Sequence, residues 1–140
     1  MLFSNDREAL RRFFITSWRK RRDASPLEPL EALVSDVVID HPEYHPLLED
    51  DRALDRDWLP EEGQTNPFLH LAMHVAIREQ LASGQPPGIE PAWQALLART
   101  GDRHHAEHAM LECLGEVMWQ AQRNGTEPDV AAYLDCLRRR

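Results

Sequence analysis

The sequence has little of what would assign it quickly, and each absence excludes something. It holds only two cysteines in 140 residues, too few for the disulfide framework of a small secreted scaffold. No apolar run approaches the length that spans a bilayer. Residues 1–22 lack the continuous apolar core and small-residue cleavage site of a secretory signal, and Asp6 and Glu8 argue against an organellar transit peptide. A cytoplasmic chain, retained in full, is the expectation. In that setting Cys113 and Cys136, on separate predicted helices, are expected to be reduced and structural, with a redox pair as the alternative. Nothing reads as a strand of any length, and no Gly/Ser linker or internal repeat marks a boundary, so residues 1–140 are expected to form one domain. The zinc-protease pattern His-Glu-x-x-His, the Glu-x-x-His element of di-iron bundles and the adjacent His-Asp pair of a phosphohydrolase site are all missing.

What is present is ordinary in amount and uneven in placement. Hydrophobic residues make up 42% and charged residues 29%, as in a globular domain large enough to bury a core. Residues 1–22 carry seven Arg or Lys against two acids, residues 23–62 two against thirteen, and residues 63–140 seven against nine, for a net charge of −8. That total works against nucleic acid or anionic membrane as a partner. The run Arg19, Lys20, Arg21, Arg22 reads instead as a solvated helix end, where cations are favourable, and the basic helix could pair with the acidic segment inside one molecule.

Punctuation predicts an all-α fold, a single compact bundle of five or six helices. Asn5 and Glu8 suggest a capping box for a first helix to about Arg22. Ser25, Pro26 and Glu28 open a second that stops near Asp40, because Pro42 disfavours helix at His41. A long acidic segment follows between helices 2 and 3, broken by Pro42, Pro46 and Pro60, with one or two short turns over Leu47 to Asp57. Asn66 and Pro67 begin the central helix and Gly84 ends it. Glu90 to Thr100, Arg103 to about Arg123, and a last helix capped by Thr126 with Pro128 in its first turn complete the chain.

The central helix carries the chemistry. His70 and His74 stand one turn apart in a stripe with Ile77 and Leu81, while Phe68, Leu71 and Val75 form a second apolar stripe. Two imidazoles among apolar side chains need partners, since an unpaired buried polar group costs about 1–3 kcal/mol. A second stripe, on the helix from Arg103, contains His105, His108, Glu112, Glu116 and Trp119. Histidine at i and i+4 can hold one ion, and facing helices build such sites from His and carboxylate. His70, His74, His108 and Glu112 are therefore the candidate ligands for zinc or iron, with His105, His41 and His45 as lesser candidates. Glu112 and Glu116 are the candidate acid–base pair, and Glu79 or Glu116 a candidate supporting group. Bundles of the DinB type use a His triad with a His-x-x-x-His pair, which His70 and His74 loosely resemble. The alternative is a protein–protein interaction or scaffolding module with structural histidines, its partner held by the acidic segment or an exposed tryptophan such as Trp58.

The stretches HPEYH, LPEEGQTNPFLHLAMHVAIREQ and AEHAMLECLGEVMWQAQRNGTEPD, with LEPLEAL near the start, resemble the bacterial family called domain of unknown function 1841 over nearly the whole chain. The resemblance implies a small, single-domain cytosolic proteobacterial protein, and brings with it no activity or catalytic residue.

Overall fold

A computed structural model describes residues 6–59 and 63–140, which are helical with no strand among them. Among the described residues there are seven α-helices: α1 (Arg7–Arg22), α2 (Pro29–Ile39), α3 (His45–Leu48), α4 (Pro67–Ser83), α5 (Ile89–Thr100), α6 (Arg103–Asn124) and α7 (Val130–Arg139). None of these is long and apolar enough to cross a membrane. The seventh, beyond the five or six predicted, is the single turn α3, which lies between the 3-10 turns Pro42–Tyr44 and Asp51–Leu54. The chain groups into two compact units, Met1–Val75 and Ala76–Arg140. The division falls within α4, where no linker composition could mark it.

Helix starts follow side-chain chemistry, with two displacements from the sequence reading. Asn5 lies outside the described residues; Asp6 caps α1 by accepting from the Ala9 N–H at 3.0 Å. α2 begins three residues later than Ser25 and Pro26 suggest, because Glu28 precedes a second proline and is held extended (φ −67°, ψ 158°). The Glu31 carboxylate then accepts from the Glu28 N–H at 2.8 Å. α7 is capped by Asp129 rather than Thr126, through the Ala132 N–H at 3.0 Å. Proline at 128 holds Glu127 out of the helical region, so the first usable cap comes after it. Asn66 does cap α4, its Oδ1 accepting from Phe68 at 3.0 Å and Leu69 at 3.3 Å. Asn66→Ala is expected to cost about 1 kcal/mol in chemical unfolding.

In the first unit α1 packs on α2, and Phe14, Ile15, Trp18, Val34, Val37, Val38, Leu48, Phe68, Leu71 and Val75 are buried together. The acidic segment is drawn onto this core by Arg11. Its guanidinium is buried and Nη1 donates to the carbonyls of Ala53 (3.1 Å), Leu54 (3.2 Å) and Arg56 (2.7 Å). The same group lies over the rings of Trp58 and Phe68, at 5.0 and 5.1 Å. Trp58 is accordingly half-buried, not the exposed docking residue that its acidic surroundings suggest. The basic end of α1, read from sequence as a solvated helix end, is paired with acids of the same unit, as the charge distribution allows. Arg19 faces Asp51 (3.9 Å), Lys20 Glu31 (2.7 Å), Arg21 Asp36 (2.8 Å) and Arg22 Glu49 (3.1 Å). The Lys20 ammonium and then the Glu28 N–H hold the Glu31 carboxyl below its usual range.

In the second unit α5, α6 and α7 pack on one another. Ile89, Trp93, Leu96, Met110, Leu114, Tyr133 and Leu137 are buried there. Burial pushes the Tyr133 phenol well above its usual range, and it donates to Gln80 at 2.7 Å. Cys113 and Cys136 form a disulfide, with Cα atoms 5.8 Å apart, where the sequence reading expects two reduced thiols. The short Gly125–Asp129 connection brings α7 back along α6, and that places residues 23 positions apart side by side.

Candidate metal centre

α2 ends without a glycine, and the way it ends builds the site. The last carbonyls of any helix lack intrahelical partners. Here backbone N–H groups of Asp40 and His41 serve Asp36 and Val38, and the two histidines of His41-Pro-Glu-Tyr-His45 add side-chain partners. His41 Nδ1 donates to the Val37 carbonyl at 2.7 Å, and His45 Nε2 donates to the Val38 carbonyl at 2.7 Å. The His45 ring also lies against Trp18, with centroids 4.4 Å apart. Its outward-reaching nitrogen is thus used structurally, whereas His41 keeps its Nε2 directed away from the helix end.

That Nε2 meets α4. Asn66 and Pro67 set where α4 starts, so His70 and His74 share one face at i and i+4. His74 Nε2 is 3.2 Å from His41 Nε2 and 3.2 Å from His70 Nε2. The ligand atoms of all three lie within 4.8 Å of one another. His41 and His74 are buried, at 5% and 2% exposure, and His70 is half-buried. Tyr44 walls the cluster, parallel to His41 at 6.0 Å and edge-on to His70 at 6.1 Å. Burial, then the charge of Glu43, pushes the Tyr44 phenol above its usual range.

Proton bookkeeping shows what three such nitrogens favour. A carbonyl accepts only from an N–H, so His41 carries its proton on Nδ1 and, when neutral, offers a bare lone pair at Nε2. His74 Nε2 can donate toward that lone pair. It then presents the same N–H to His70, and a protonated ring nitrogen has no lone pair left to accept with. One hydrogen cannot close both 3.2 Å contacts as straight hydrogen bonds. A cation among the three would take all three lone pairs. With Zn–N bonds of about 2.0–2.1 Å in tetrahedral geometry, ligand nitrogens stand about 3.3–3.4 Å apart, close to the two contacts observed. The Val37 carbonyl plays the part that outer hydrogen bonds usually play at imidazole–metal sites, fixing tautomer and ring orientation.

The structure therefore joins His70 and His74, the leading candidates from sequence, with His41, a lesser one. The cluster includes neither His108 nor Glu112. Both stand on α6 in the second unit, where His108 Nδ1 donates to the His104 carbonyl at 2.9 Å and Glu112 pairs with Arg140 at 2.6 Å. His105 pairs with the Asp102 carboxylate at 2.8 Å, and Glu79 and Glu116 are exposed. The signal that marks His41 is its place one step beyond a helix stop, where an imidazole can serve a carbonyl with one nitrogen and face inward with the other.

Across the sequence, the family described as domain of unknown function (DUF1841) matches residues 6–139. The chain belongs to the DUF1841 family. No curated protein and no solved structure matches this DUF1841 chain. Its chemistry has to be read from the three imidazoles themselves.

Proposed function

We propose that the protein is a divalent-metal-binding helical protein whose ligands are His41, His70 and His74. The observation that carries the reading is the shared contact of His74 Nε2 with the Nε2 atoms of both other rings, at 3.2 Å each. Zinc is the metal of choice, because three neutral imidazoles suit it and a non-haem iron site would call for a carboxylate in the set. Zinc on three imidazoles supplies Lewis acidity and lowers the pKa of a bound water. The chain's own part is to hold three lone pairs together. His41 is oriented by the end of α2, His70 and His74 by the register of α4, and the Tyr44 ring covers one side.

The test is the metal content of the untagged, purified protein by elemental mass spectrometry, beside a His70→Ala, His74→Ala double variant. About one zinc per chain, lost in the variant, is the expected result. Metal-free protein that also fails to take up added zinc or ferrous iron at micromolar concentration would overturn the reading.

A further inference from the structure

The two sulfurs of the Cys113–Cys136 disulfide are not equivalent. Cys113 is fully buried on the inner face of α6, while Cys136 on α7 is half-buried. Cys136 also lines a cavity of about 400 Å³ formed by the second half of α6, the turn after it and α7. Cys113 takes no part in that lining. Of the two cysteines, Cys136 is the one that a reagent entering the cavity meets.

The lining also has a sign. Glu116, Glu127 and Asp129 contribute three carboxylates against one guanidinium, Arg139, and this guanidinium is held by Asp135 at 3.1 Å. The remaining polar groups, Gln120, Asn124 and Thr126, are neutral. Over the few ångströms of such a cavity, charges act well inside the Debye length of about 8 Å at physiological salt. A lining of this sign favours cationic molecules over anionic ones.

We propose that Cys136 is a thiol-exchange site selective for small cationic thiols, the aminothiols. The thiolate of the incoming molecule attacks Cys136 Sγ. A new S–S bond forms between the two, the Cys136–Cys113 bond breaks, and its electron pair leaves on Cys113 Sγ as a thiolate, which takes a proton from solvent. No outside oxidant is needed, since one disulfide is exchanged for another. The reverse attack by Cys113 on Cys136 restores the bond and releases the aminothiol. The covalent tie between α6 and α7 thereby opens and closes with the supply of one class of small thiol.

The experiment treats the native, disulfide-linked chain with cysteamine or with 2-mercaptoethanesulfonate, a thiol of similar size and opposite charge, at equal thiolate concentration. Acid quenching, alkylation of free thiols and peptide mapping then locate the adduct. The expected result is cysteamine on Cys136 and the alkylating label on Cys113, with cysteamine faster by about tenfold, the lower end of electrostatic steering in a charged cleft. The preference should collapse toward unity in a Glu116→Gln, Glu127→Gln variant and in about 1 M salt, where the Debye length is about 3 Å. A Cys113→Ser chain, in which a mixed disulfide on Cys136 cannot be resolved, should show the same charge order toward cystamine over the disulfide of 2-mercaptoethanesulfonate. Adducts chiefly on Cys113, equal rates for the two thiols, or reaction only in denaturant would each overturn the proposal.

Discussion

Saturating zinc is expected to raise the unfolding midpoint of metal-free protein by roughly 8–10 °C, and His41→Ala is expected to abolish that rise. The estimate follows from linkage: at free metal about 100 times the dissociation constant, binding to the folded state alone adds about 2.7 kcal/mol. For a chain of this length that corresponds to about 3–4 °C per kcal/mol. His41 is the informative position because it comes from outside the pair on α4, and its loss leaves an i, i+4 pair alone. Two controls separate a lost ligand from a damaged fold. His45→Ala removes the matching bond to the Val38 carbonyl and should lower stability while keeping the zinc-dependent rise. Glu112→Gln, at an exposed residue paired only with Arg140 among its described partners, should keep the rise in full. Differential scanning calorimetry with and without zinc reads all of these. A rise of equal size in wild type and His41→Ala would place the metal elsewhere.

The largest effect that involves no metal is expected at Arg11. Replacement by methionine keeps much of the side-chain volume but removes every donor, leaving the carbonyls of Ala53, Leu54 and Arg56 without this partner. Hydrogen bonds from a charged group contribute about 1.5–3 kcal/mol and are not additive, so a loss of about 2–4 kcal/mol in urea unfolding is the expectation. Lysine should recover only part of it. An ammonium lacks the planar group that lies over Trp58 and Phe68 while its edge serves the carbonyls. Amide hydrogen exchange should quicken across residues 51–58 in both variants. A change below about 0.5 kcal/mol, the range of ordinary surface substitutions, would mean that the acidic segment is held by its apolar residues alone.

Most helix boundaries were legible in sequence because their signals are local. Asn66 with Pro67, Asp102, Gly101 and Gly125 each act on backbone groups within a few residues, and the structure uses all of them. The start of α2 was misplaced where two prolines competed, and the winning constraint was the restriction that Pro29 places on Glu28. Pairings between distant elements were less visible. Periodicity put His70 and His74 on one face but could not say which element lies opposite; spacing ranked His108 above His41, and the imidazole at the end of α2 reverses that order. The disulfide was hidden in the same way, since the register of α7 against α6, and not the count of cysteines, decides whether Cys113 and Cys136 meet. The ionic pairing of α1 was the exception, because opposite charge blocks in neighbouring segments announce a long-range contact without geometry.

The end of α2 has a consequence for how freely this chain can change. α4, α5 and α6 stop at Gly84, Gly101 and Gly125, each with positive φ, a stop made by backbone shape that any family member could satisfy with glycine or asparagine. α2 stops on the rings of His41 and His45. A glycine at position 41 would leave Pro42 to end the helix, but it would remove the buried bond to the Val37 carbonyl and the third nitrogen of the cluster together. One codon there supplies both the partner of a helix-end carbonyl and a nitrogen of the cluster, so a change at this position loses a structural bond and a candidate ligand at once, which no change at the other three helix ends does.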